Sequence, residues 1–190
     1  MSIKRAAAIP TIDVNLVTVQ SNESGADEII LDTASQIQVE VQTDTEDAVR
    51  LVIKGVLKAQ KPEQSTITGN QITLTDNVFT PELVKILQGG TVVYDTLDPT
   101  KIVSYTPPVA GSSEKGKIFT LKAYSAQYDA SGQIVNYECI SYPNCQGVPI
   151  AFGAEDGVFR ATEYTINSAP NTGEAPYTIT WVDTLPTPSV

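Results

Sequence analysis

The chain contains no histidine. That removes the side chain titrating nearest neutrality, the usual base of nucleophilic triads, and the commonest metal ligand. Cysteine is scarce: Cys139 and Cys145 are the only two among 190 residues. Two are too few for a disulfide framework, and the Cys-Ile-Ser-Tyr-Pro-Asn-Cys spacing is not that of a zinc site. They are expected as reduced thiols, one packed and one in a loop. Positive charge is also short, with 12 Lys and Arg against 22 Asp and Glu, a net charge of −10. A basic face for gripping nucleic acid is not expected. No apolar run approaches the ~18 residues of a membrane span. Behind the basic Lys4-Arg5 start there is no hydrophobic stretch to make a secretion signal. The expectation is a soluble chain, made and folded in the cytoplasm, with no membrane association.

What the chain has in plenty is β-forming side chains. Thr, Val, Ile, Tyr, Phe and Trp supply 71 of the 190 residues, an excess that points to a mostly β protein. Ile12, Val14 and Leu16 alternate with polar residues, and Ile37, Val39 and Val41 alternate with Gln36, Gln38, Glu40 and Gln42. Such strands bury one face. Residues 43–47 read as an acidic turn, Val49 to about Lys58 as one long strand, and Gly69-Asn70 as a two-residue hairpin turn. Residues 95–116 read as a long surface loop. Strands follow over 117–128 and 133–140, then 148–152 and 158–166 joined at Glu155-Asp156-Gly157. A last strand spans 177–182, with Ile179 and Trp181 on one core-like face.

One helix is expected over about 81–88. Thr80 stands at the N-cap, Pro81 at the first helical position, Glu82 in the first turn and Gly89 at the stop. Leu83, Ile86 and Leu87 make a narrow apolar stripe for docking on a sheet. The fold class is therefore mainly β: a β-sandwich or partial barrel of two packed sheets with one flanking short helix. Residues 1–34 read as an N-terminal arm and first strand, 35–185 as the domain, and 186–190 as a tail.

No catalytic constellation emerges. The adjacent pairs Glu46-Asp47 and Glu155-Asp156 sit at turns, where neighbouring side chains do not converge. Asp44, Glu46 and Asp47 lack the glycine and distal glutamate of a calcium loop. Neither a metal site, a cofactor site nor an enzyme is expected. Charge, however, is unevenly spread: nine acids and no Lys or Arg lie between residues 6 and 49. Solubility alone accounts for a net charge far from zero.

A resemblance gives the acidic stretch a further use. From Ser35 to about Leu185 the chain resembles a bacteriophage major tail protein, the subunit of the tail tube, and is similar to the tubes of phage-tail-like bacteriocins. Three stretches carry the likeness. They are the strands 37–41 and 49–58 around the acidic turn; the strand-then-helix run Gln71 to Leu87; and Phe119 to Gly132 continuing through Tyr142-Pro-Asn-Cys145-Gln-Gly and Glu155-Asp-Gly-Val-Phe159 to Pro170. The resemblance implies a tail-tube fold in which six subunits close a ring, inner sheets fuse into one barrel, and rings stack into a conduit for DNA ejection. It implies a structural subunit of the virion, assembled in the bacterial host cytoplasm. Its partners would be further copies, tape-measure, tail terminator and baseplate proteins, and a sheath where the tail contracts.

DNA would pass through the bore without specific binding. Glu40, Asp44 and Glu46, near the inner strand pair, are the candidate lumen-facing acids. Lys54, Lys58 and Lys61 are the candidate ring-stacking contacts. Alternatives are the tube of a contractile phage-tail-like particle, and a virion-surface carbohydrate-binding β-sandwich, which would need an exposed aromatic platform.

Overall fold

The computed structural model describes residues 10–26, 28–153 and 155–188. The expected N-terminal arm lies, through residue 9, outside the described residues. In chain order the elements are β1 (Thr11–Ser21), β2 (Glu28–Leu31), β3 (Ala34–Glu46), β4 (Val49–Ile53), β5 (Val56–Lys61), β6 (Gln64–Asp76), α1 (Pro81–Gln88), β7 (Thr91–Tyr94), β8 (Ile102–Thr106), β9 (Phe119–Tyr128), β10 (Ile134–Gly147), β11 (Thr162–Ser168) and β12 (Thr178–Val182).

The protein is a β-sandwich whose two layers share a strand. One layer runs β2-β1-β9-β10-β12, the other β10-β11-β6-β3, all antiparallel. The first half of β10 pairs with β12 and its end with β11. The switch falls at Pro143-Asn144, where the pairing with β9 slips and Asn144 takes φ 49°. Bulges of this kind let one strand turn a corner between layers. At the other side β2 passes into β3 through Asp32-Thr33. Strands β1 and β2, both within residues 1–34, are thus part of the sandwich, and Val17 and Val19 of β1 are wholly buried.

The two inner faces meet in one core. Val17, Val19, Phe119, Leu121 and Tyr142 come from one layer, and Ile72, Leu74, Tyr164 and Ile166 from the other. The helix fits its expected bounds, with Pro81 starting it and Gly89 N donating to Lys85 O at its end. Thr80 is extended but makes no side-chain capping bond. Val84 is as buried as Leu83, so the apolar face is wider than the expected stripe and plugs the sandwich. Two glycines permit this. A Cβ at Gly147 would stand 2.5 Å from Leu87 Cβ, and one at Gly116 2.0 Å from Leu87 O. Beyond the helix, Gln88 ties three segments together: Nε2 donates to Tyr105 Oη at 2.8 Å, and Oε1 accepts from Ile150 N at 3.0 Å.

Several expectations are corrected. Val49–Lys58 is not one strand, because Lys54 and Gly55, at φ 50° and 77°, fold it into the β4–β5 hairpin. Positive φ at both central residues is the tight turn matched to strand twist. Gly69-Asn70 is no turn; it lies inside β6, where the pairing with β3 slips by one residue. The expected loop at 95–116 contains β8, paired with β7. The hairpin expected from 148–152 and 158–166 does not form, and only Thr162–Ser168 is strand there. Trp181 is 53% exposed and Ile179 39%, not core-facing, because β12 is an outer strand.

Candidate functional site: an outer polar face and a projecting arm

Register across β3, β6 and β11 places whole rows of side chains on each face. Directly opposed residues of an antiparallel pair share a side. The rows Ile37–Leu74–Tyr164 and Val39–Ile72–Ile166 point into the core. The alternate rows Gln36–Thr75–Glu163, Gln38–Thr73–Thr165 and Glu40–Gln71–Asn167 therefore point away from it. Gln71 Nε2 donates to Asn167 Oδ1 at 3.5 Å within that face. Amides, hydroxyls and two carboxylates make these rows, with no lysine or arginine. β3 pairs only with β6 among the described residues, so its other edge offers free backbone donors and acceptors along 13 residues, about 40 Å.

Glu40 stands in the middle of this face. Asp44 and Glu46 follow on the same side of β3, opposite Thr66 and Gln64, but beyond the body of the sandwich. There the ends of β3 and β6 continue as a two-stranded ribbon into β4–β5, and every residue from Gln42 to Asp47 is exposed. Lys61 pairs with Glu46 at the root of the hairpin, so one candidate lumen acid and one candidate stacking cation hold each other. The Thr45 and Ser65 hydroxyls bond at 2.6 Å across the ribbon. Lys54 sits at the tip and Lys58 at the β4–β5 bulge; among the described residues neither they nor Arg50 makes an ion pair.

Beyond these lysines, the arm displays Val49, Leu51, Val52, Ile53, Val56 and Leu57, all about half exposed or more. They occupy both faces of a hairpin that, among the described residues, has no layer against it. Exposed apolar residues gathered in this way mark an interaction surface. The signal in the sequence was the unbroken Leu51-Val52-Ile53 run, which lacks the polar alternation of a half-buried strand. Glu163, Gln71 and Asn167 could be added to the polar face only through register.

The other chemically notable groups are buried. Burial pushes the Cys145 thiol up to about 12. Cys139 packs with Leu16 and Tyr124 in a smaller cluster, away from Cys145 in the main core. Asp76, wholly buried, accepts from Thr33 Oγ1 at 2.6 Å and Val78 N at 3.3 Å, fixing the exit from β6. Among the described residues no group of three metal-ligating side chains forms, and no helix is long and apolar enough to cross a membrane. A scan of family models returns no match to this chain, and a search of curated proteins returns none either.

Proposed function

We propose that this protein is a structural subunit that self-assembles into stacked rings forming a tube, of the kind that conducts DNA out of a phage, and performs no catalysis. The observation that carries the reading is the pairing of a cation-free polar face with a long unpaired edge at β3. Joining free edges between copies satisfies their backbone groups and encloses a bore lined by the polar rows. Glu40 and Glu163 would then face the channel. A basic wall would retain nucleic acid through counterion release, with dissociation constants of ~10⁻⁴ to 10⁻⁶ M. Amide, hydroxyl and carboxylate side chains offer a polyanion no cation to pair with, so no counterions are released on contact. Lys54 and Lys58 on the projecting arm would contact the next ring, while Lys61 helps brace the arm through Glu46.

Negative-stain electron microscopy of concentrated protein tests this. Rings or hollow tubes are the expected outcome, and a solitary particle at every concentration overturns it. A second reading draws on Trp181: a half-exposed indole beside Ile179, with Glu138 opposite, suits sugar stacking on a virion surface. Glycan-array binding that disappears in Trp181→Ala would favour that reading.

A further inference from the structure

The arm and one surface cleft lie at opposite ends of the same layer. β11 starts where Thr162 faces Asp76 and ends where Ser168 faces Asn70. The arm leaves the layer just past that Asn70 end, beyond Gly69. At the Thr162 end, residues 148–153 and 158–163 wall a cleft of about 580 Å³, lined by Val148, Ile150, Phe152 and Val158 together with Glu155 and Glu163. Its floor is built. Phe152 meets Phe79 edge-on with ring centroids 5.5 Å apart, and the Arg160 guanidinium lies 4.6 Å from the Phe79 centroid and 5.5 Å from that of Phe152.

Charge and apolar character at the two ends are complementary. The arm tip is an apolar wedge, Ile53 and Val56 flanking Lys54-Gly55. Four of the chain's twelve cations fall within residues 49–61, which contain no acid. The cleft offers apolar walls, Glu155 and Glu163, with Asp156 next to it in the exposed turn. Its one cation, Arg160, is spread over two aromatic rings. A hairpin with both faces exposed is marginal until something covers it.

We infer that the arm tip of one copy seats in the cleft between residues 148–153 and 158–163 of the next copy along the strand direction, Lys54 against Glu155. This rests on the self-assembly reading and names the receptor that reading leaves open. Wedge and cleft differ and lie at opposite ends, so the contact is head-to-tail and repeats without closing on itself.

Disulfide capture between two variants of the full chain, K54C and E155C, tests it under conditions where the wild-type protein assembles. Both positions are exposed, whereas Cys139 and Cys145 are buried. Mild oxidation of the mixture is expected to give a mixed dimer at least roughly ten-fold above what either variant gives alone, because seating raises the effective thiol concentration. The K54C/E155C double variant is expected to give a ladder of covalent multimers. Predominant K54C homodimers would mean that arms pair with arms, and would overturn the proposal. Rings or tubes without the mixed disulfide overturn the seat and leave self-assembly standing; a chain that never associates overturns both.

Discussion

At the residue scale, the tightest point is Leu87 between Gly116 and Gly147. Both glycines face backbone or Cβ atoms that have no flexible end to retreat. Gly147→Ala is expected to cost about 1–3 kcal/mol, the usual range for overpacking, measured by urea unfolding. Gly153→Ala, with open space around it, is expected to change stability by less than about 0.5 kcal/mol. Buried acids that stay neutral make a second prediction. Burial pushes both the Cys145 thiol and the Tyr142 phenol up to about 12, from ordinary values of 9.0 and 10.0. A raised native value favours the protonated form, so its contribution is complete below the unfolded value. Above about pH 9 the unfolded chain releases these protons first and binds fewer than the native state, so stability must fall as pH rises toward 12. The urea midpoint should decline from pH 9 to 11, and less steeply in Cys145→Ala. A flat profile would refute the assignment.

At the scale of elements, the arm is separable from the body. Its residues contribute none of the core, so replacing 47–63 with a short glycine-containing turn should leave the thermal midpoint within a few degrees while abolishing association in analytical ultracentrifugation. Reversing charge in K54E/K58E should raise the concentration needed for assembly by roughly ten-fold, since exposed pairs contribute about 0.2–1 kcal/mol each and two are reversed. Elements fixed by local chemistry were legible in the sequence. The helix announces itself through Thr80-Pro81-Glu82 and Gly89, and β3 through strict alternation of Ile37, Val39 and Val41 with glutamines and Glu40. Elements fixed by long-range pairing were not. Lysine has no preference for positive φ, so Lys54-Gly55 gave a weaker turn signal than Gly69-Asn70, which β3 and β11 flank on both sides and hold extended. For Trp181, alternation tells which side chains share a face but not whether another layer covers that face. The wedge and the cleft were legible only in part, because a complementary pair at opposite ends of a layer is a property of register.

At the scale of the whole molecule, the outer face of β3, β6 and β11 matters for what it lacks. Assembled protein is expected to show no retention of duplex DNA in a filter-binding assay at 50–200 mM salt. Installing E40K, which leaves both the arm and the cleft untouched, is expected to create measurable, salt-sensitive binding, because each new ammonium displaces counterions from phosphate and the Debye length of ~8 Å confines the effect to the wall. Equal binding by both proteins would place this face away from nucleic acid. The separation of arm and cleft has a last consequence. Any stack built by their union is a vector: one terminus shows unfilled sockets, the other bare prongs rich in lysine and valine. Growth and capping at the two termini then call for chemically opposite adaptors, one imitating a prong and one a socket, so that a finished column knows its top from its bottom without any asymmetric cue from outside.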